Sequence, residues 1–127
     1  MSKRGPAASK FRAMSAIEAA WLGGMIEADG HTTFGPLQPR RSMPGISVAV
    51  TNTSPEVISA CLRLTHVGKV VFKPPKPRPG IGSTKPCFRW HVQAWLDVLG
   101  VLRAIRPYCT KAQAALHQLS AYYGAPV

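Results

Sequence analysis

Negative charge is what this sequence has least of: five Asp and Glu stand against sixteen Lys and Arg in 127 residues, a formal charge of +11 with a pI near 10.4. So few carboxylates exclude an acidic, cation-buffering surface and point to a polyanionic partner, with nucleic acid ahead of an anionic membrane. Cysteine is scarce as well. Cys61, Cys87 and Cys109 are odd in number and widely spaced, without the pairing of a zinc site or a disulfide framework, so they read as reduced, mostly buried thiols. His31, His66, His91 and His117 also lack metal-ligand spacing. No apolar run reaches the roughly 18 to 20 residues that span a bilayer, and MSKRGPAASKFRAM lacks the apolar core of a secretory signal. The expectation is an intracellular protein, in cytoplasm, nucleoid or organelle matrix, neither secreted nor membrane-bound.

A hydrophobic fraction of 46% is too high for disorder, and the length suits one core. Residues 1–14 are basic and unpatterned and read as a flexible arm, 15–123 as a single domain, 124–127 as a tail. Ser15-Ala16-Ile17-Glu18 fits a capping box, opening a helix to about Ala28 with Gly30 as a left-handed C-cap. A short strand over 31–35 is followed by a long turn, GPLQPRRSMPG, that carries Arg40 and Arg41. Ile46, Val48 and Val50 then alternate with Ser47 and Ala49 as a strand. Ser54-Pro55-Glu56 starts a second helix that runs to about His66 and buries Val57, Ile58, Cys61, Leu62 and Thr65. Strands follow over 69–73 and 87–93, joined by the proline-rich loop PPKPRPGIGSTKP. Trp95, Val98, Leu99, Leu102 and Ile105 mark a helix ended by Pro107. Thr110-Lys111-Ala112-Gln113 resembles another capping box and opens a last helix that uses Ala115, Leu116, Leu119 and Tyr122. The order is αββαββαα.

Residues 31–93 hold nine Lys or Arg and a single acid, Glu56. Strand alternation sorts them. With Val70 and Phe72 facing the core, Lys69 and Lys73 share the other face; with Phe88, Trp90 and Val92 facing in, Arg89 and His91 face out. An acid-free basic sheet face backed by helices fits the footprint of a major-groove β reader. The residues expected to touch DNA are His31, Thr33, Arg40, Arg41, Ser47, Lys69, Lys73, Lys85, Arg89 and His91.

The stretch WLGGMIEADG, residues 21–30, is costly for a helix. Gly23 and Gly24 each lose about 1 kcal/mol relative to Ala, and Glu27 and Asp29 sit at the negative end of the dipole. Two features would repay this. Ala20 and Gly24, like Ala19 and Gly23, lie four apart and make a small-residue surface on which another backbone can approach closely, within the chain or across a dimer. Asp29 beside exposed carbonyls is a crowd of oxygens that a hard cation would stabilise.

The nine residues from Leu22 to Gly30 resemble the LAGLIDADG motif of the homing endonucleases. ISVAVTNTSPEVISACLRLTHVGKVVFK resembles that family's strand, N-capped helix and strand, and FRWHVQAWLDVLGVLRAIRPYCTKAQAAL its closing strand and helix pair. The resemblance covers roughly residues 15 to 120. It implies an α+β fold, αββαββα with a saddle-shaped antiparallel sheet and here an extra C-terminal helix. One motif per chain implies a homodimer, with Ala20, Gly23, Gly24 and Glu27 at the interface, that cleaves a palindromic or near-palindromic site in double-stranded DNA. Asp29 is implied as the Mg²⁺ ligand, helped by the carbonyl of Ala28. Glu27 matches a position that more often serves helix ends or interfaces than metal. Asn52 and Gln93 are the polar residues expected to organise the attacking water. A lysine often found near the end of the family's fourth strand is absent, its place taken by Gln93 or Ala94; Lys85 and Lys111 are candidate substitutes.

An intein-borne nuclease would carry a terminal His-Asn pair, which is missing, so a free-standing or intron-encoded enzyme is expected. The alternatives are a non-cutting binder on the same scaffold, an intron RNA maturase or a transcription regulator, and a basic RNA-binding domain without metal. Retention of Asp29 favours cutting.

Overall fold

The computed structural model describes residues 9–35, 45–78, 80, 82–83 and 85–124. Arg40, Arg41 and most of the turn that carries them lie outside the described residues, as do residues 1–8 and 125–127. The elements are α1 (Ala16–Asp29), β1 (Gly30–Phe34), β2 (Ile46–Asn52), α2 (Pro55–Thr65), β3 (Lys69–Lys73), β4 (Pro77–Arg78), β5 (Gly82–Ser83), β6 (Cys87–Val92), α3 (Trp95–Ile105), a 3-10 turn (Arg106–Tyr108) and α4 (Thr110–Tyr123). The expected order holds. The addition is a two-stranded pairing of β4 with β5 inside the proline-rich loop.

The main sheet is antiparallel in the order β1-β2-β6-β3. Directly opposed residues share a face, so the register divides the sheet. Val50, Trp90 and Val70 form one cross-strand row on the helix side, with Val48 and Val92 in the next. Val48, Val50, Trp90 and Val92 are essentially inaccessible, packed among Leu22, Ile26, Ile58, Cys61, Val98, Leu102 and Leu119 from the four helices. Val70 and Phe72, expected in the core, stay more than 40% exposed because β3 is an edge strand; Phe72 packs on Phe88, ring centroids 5.3 Å apart. Leu62, also expected to be buried, faces outward, and Val57 is half-buried.

The capping box of α1 forms as expected: the Ser15 hydroxyl accepts from Glu18 N at 3.2 Å and Glu18 accepts from Ser15 N at 2.9 Å. The far end differs. Gly30 is extended, φ −102, rather than left-handed, and begins β1 directly. A Cβ there would meet Ile26 Cα at 2.7 Å and Ala49 O at 2.9 Å, so glycine is required by the close passage of β2 behind the helix end. In α2, His66 takes the left-handed cap, φ 59, and the turn into β3 is locked by buried polar bonds: Thr65 Oγ1 donates to Cys61 O at 2.7 Å and Trp90 Nε1 to Val67 O at 2.9 Å.

Residues 9–14 are anchored rather than part of a loose arm. Arg12 N donates to Thr65 O at 2.8 Å, its guanidinium pairs with Glu18 at 2.9 Å, and Phe11 packs on the core over Gly100. No helix among the described residues is long and apolar enough to cross a membrane.

Candidate active site and nucleic-acid face

The uncovered face of the sheet follows from the same register. His31, Ala49, His91 and Lys69 form one row; Thr33 and Ser47 lie on one side of it; Thr51, Arg89 and Val71, then Cys87 and Lys73, lie on the other. Thr33 and Ser47 share a hydroxyl-hydroxyl hydrogen bond. The chain's five acids are Glu18, Glu27 and Asp29 on α1, Glu56 on α2 and Asp97 on α3. None is on this face. Burial pushes the His31 imidazole below its ordinary pKa, and Arg89, Lys111 and Lys73 push it further; burial, Arg89 and Lys69 do the same for His91. The rings thus register a positive potential that no carboxylate on the face offsets. Arg89 Nε is buried with no hydrogen-bond partner among the described residues. Lys85 is exposed just before β6. Thr51 and Val71 belong to this face too and were missed, although the alternation Ser47, Ala49, Thr51 contains the first of them.

Asp29 closes α1 where the face meets the helix layer. Asn52, at the end of β2, is fixed from both sides: its Oδ1 accepts from Ser54 N at 2.8 Å, so its Nδ2 is turned to donate to Asp29 Oδ2 at 3.1 Å. Lys111, in the first turn of α4, donates from Nζ to Gly30 O at 2.7 Å, one residue beyond Asp29. The site therefore gathers a carboxylate, an amide and an ammonium. Gln93, expected in it, is at the other end of the sheet. It follows Val92, which pairs with Val48, whereas Asn52 pairs with Phe88 at the start of β6. Five residues of strand, about 17 Å, separate the two, and Gln93 lines an open hollow with Gly68, Lys69 and Asp97.

The glycine pair and Glu27 divide between inside and outside. Gly23 is buried, and a Cβ on it would meet Tyr108 Cβ at 2.9 Å; Gly24 is exposed with nothing within 4 Å. Gly23 thus serves a contact within the chain, not the dimer surface expected of it. Glu27 is likewise turned to its own chain. It accepts from the Thr110 hydroxyl, from Lys111 N at 3.2 Å and from Cys109 Sγ at 3.6 Å, and these hydrogen bonds, the Thr110 hydroxyl first, hold its carboxyl below the ordinary carboxylate range. The Thr110 capping box therefore does not form: Cys109 gives no side-chain cap, and a carboxylate from α1 fills that role at the positive end of α4. What stays open is the stripe Ile17, Ala20, Trp21, Gly24 and Ala28, apolar throughout at helical spacing, with Ile17 84% and Trp21 38% exposed.

No group of three His, Cys, Asp or Glu side chains that could hold a metal occurs among the described residues. The donors at the end of α1 nevertheless suit a hard cation. Asp29 is an exposed carboxylate beside the last turn of a helix, whose carbonyls, Ala28's included, lack the usual intrahelical partners. Mg²⁺ is commonly held by one or two carboxylates together with substrate phosphates. Cys61 and Cys109 are free, buried thiols, Cys61 pushed up to about 12 by burial.

No protein-family model matches the sequence, and no curated protein does. Solved structures match by fold. The homing endonuclease I-CvuI in complex with its target in the presence of Ca superposes with TM-score 0.58 at 18% identity, over 80% of this chain and 63% of that one. The same enzyme with the I-CreI target and Mg, its DNA not cleaved, gives 0.55 at 18% identity, over 79% and 62%. The archaeal intron-encoded homing endonuclease I-Vdi141I with DNA gives 0.54 at 16% identity, over 72% and 55%. The chain thus spans less than two thirds of the length of these neighbours. Its fold, α+β with a four-stranded antiparallel sheet backed by four helices, is that of the LAGLIDADG homing endonucleases.

Proposed function

We propose that this chain is a site-specific, Mg²⁺-dependent double-strand DNA endonuclease that works as a homodimer on a palindromic or near-palindromic site. The observation that carries the reading is the position of Asp29: a carboxylate at the end of the motif helix, directly before the strand that carries His31 and Thr33 of the basic face, hydrogen-bonded to Asn52, with the Lys111 ammonium on the next residue's carbonyl. A carboxylate beside phosphates weakens simple binding by repulsion. It makes sense where a cation joins it.

Asp29 and the Ala28 carbonyl would hold the Mg²⁺. When bound, the ion activates water and stabilises the leaving oxygen. Asn52 keeps the Asp29 carboxylate in one orientation through its donated hydrogen bond. Lys111 places positive charge where the phosphodiester gains negative charge, and His31, Thr33, Ser47, Lys69, Lys73, Lys85, Arg89 and His91 hold the duplex along the face. Arg40 and Arg41, outside the described residues, add two positive charges to the sequence between β1 and β2. The open stripe Ile17, Ala20, Trp21, Gly24 and Ala28 meets its copy, so the two Asp29 residues come together and the paired faces read inverted half-sites.

The test is incubation of the chain with a pool of duplexes of randomised sequence in Mg²⁺, with sequencing of the cut ends and sedimentation of the protein. The reading expects a dimer and recovered sites with inverted-repeat symmetry. A monomer that binds duplex and leaves the pool uncut would overturn it.

A further inference from the structure

Between the motif helix and α4 runs a brace that the reaction itself does not explain. The two oxygens of Glu27 collect the first donors of α4: the Thr110 hydroxyl, the Lys111 amide at 3.2 Å and the Cys109 thiol at 3.6 Å. Four residues back along α1, Gly23 lets Tyr108 approach so closely that a Cβ would meet its Cβ at 2.9 Å. On the other side, Gln113 Nε2 donates to Arg106 O at 2.8 Å, tying α4 to the 3-10 turn before it. The segment 106–113 is thereby clamped onto α1. Lys111 is the residue whose backbone Glu27 holds and whose side chain returns to α1, donating to Gly30 O at 2.7 Å. Glu27 thus fixes one end of a flexible four-carbon stem whose other end is held on the carbonyl of Gly30, the residue after Asp29.

We infer that Glu27 is a positioning residue for Lys111: by capping α4 from the motif helix it sets where the Lys111 ammonium stands relative to Asp29. The inference rests on the endonuclease reading only for what the ammonium does there; the positioning itself is a property of the chain. A lysine stem loses much rotamer freedom when held, and fixing its backbone to the element that bears Asp29 limits the error between two groups on different helices. The motif's first acid, in this chain, then belongs to the site without touching metal or substrate.

Two measurements test this. In single-turnover cleavage, Glu27→Ala and Lys111→Met are each expected to slow cutting by about 10- to 100-fold, as loss of an outer-shell partner does, and the double variant should be no slower than the slower single within about threefold. Duplex affinity in Ca²⁺ should stay within about threefold, and Glu27→Gln, which keeps an acceptor, should recover much of the rate. Losses that multiply in the double variant would overturn the inference. The second readout needs no cleavage. Reductive methylation followed by mass spectrometry should find Lys111 protected in the wild type and as reactive as exposed Lys85 in Glu27→Ala. Equal Lys111 reactivity in both proteins would overturn the inference. Exposure of Lys111 in the variant, with a wild type that cuts nothing, would retain the positioning and refute the nuclease reading alone.

Discussion

Lys111 Nζ donates to Gly30 O at 2.7 Å, so a side chain from α4 comes within one residue of Asp29 at the end of α1. Lys111→Met should therefore cut duplex about 10- to 100-fold more slowly, as loss of an outer-shell partner does, with affinity nearly unchanged. Lys85→Met should affect binding more than rate. Single-turnover cleavage and gel shift of both variants check this; an unslowed Lys111→Met would remove α4 from the site.

The two adjacent glycines should separate in their effects. Gly23→Ala pushes a methyl into Tyr108, where overpacking costs about 1 to 3 kcal/mol against a propensity gain of about 1 kcal/mol, so thermal unfolding should fall by a few degrees. Gly24→Val meets nothing within the chain and should leave the fold within about 0.5 kcal/mol while disrupting the dimer. Calorimetry and sedimentation of the pair decide it. A Gly24→Val dimer as tight as wild type contradicts the stripe as interface.

Acid should loosen both ends of α1. Glu18 is held below its ordinary value of 4.5 by Arg12, and Glu27 by the Thr110 hydroxyl and the Lys111 amide. With folded pKa values below unfolded ones, each contributes stability above the unfolded value and loses it as pH falls from 4.5 through the folded value. Thermal unfolding from pH 6 downward should show this loss, flatter in Glu27→Gln. A Glu27→Gln profile that parallels wild type below pH 4.5 would contradict it.

His31 and His91 give the opposite dependence for binding. Their free-state values are depressed by burial and by Arg89, with Lys111, Lys73 and Lys69 adding to it. Phosphates laid on the face raise both, so binding takes up protons and the dissociation constant should fall as pH drops from about 7.5 to about 6. His31→Gln with His91→Gln should flatten the dependence. Titrations in Ca²⁺ measure it; an equally steep double variant would place the duplex elsewhere.

Much of this was legible in residue order. Capping at Ser15 and Ser54, period-two alternation in β2 and β6 and the basic bias of 31–93 are local signals, and they gave the element order and the outward Lys69, Lys73, Arg89 and His91. Whatever needed knowledge of which element lies beside which was not legible. Gln93 was expected in the site because it takes the place of the family's fourth-strand lysine, and only the register shows that this end of β6 lies away from Asn52; Gly23 and Gly24 looked alike until Tyr108 chose one of them. Glu27 could not be recognised as the cap of α4 because the two are more than eighty residues apart in sequence. Lys111 stands beside Lys85 as a candidate substitute for the missing lysine, but which of the two reaches the end of the motif helix depends on the packing of α4 against α1.

The central claim, that Asp29 makes this face a cutting site rather than a binding one, is tested most directly by Asp29→Asn beside wild type, with gel shift in Ca²⁺ and cleavage in Mg²⁺ on the same duplex. The substitution keeps size and shape, removes a ligand charge from the cation and relaxes repulsion with phosphate. Affinity should remain within about tenfold while cleavage disappears. An Asp29→Asn variant that cuts at the wild-type rate, or a wild type that binds and never cuts, would contradict the account.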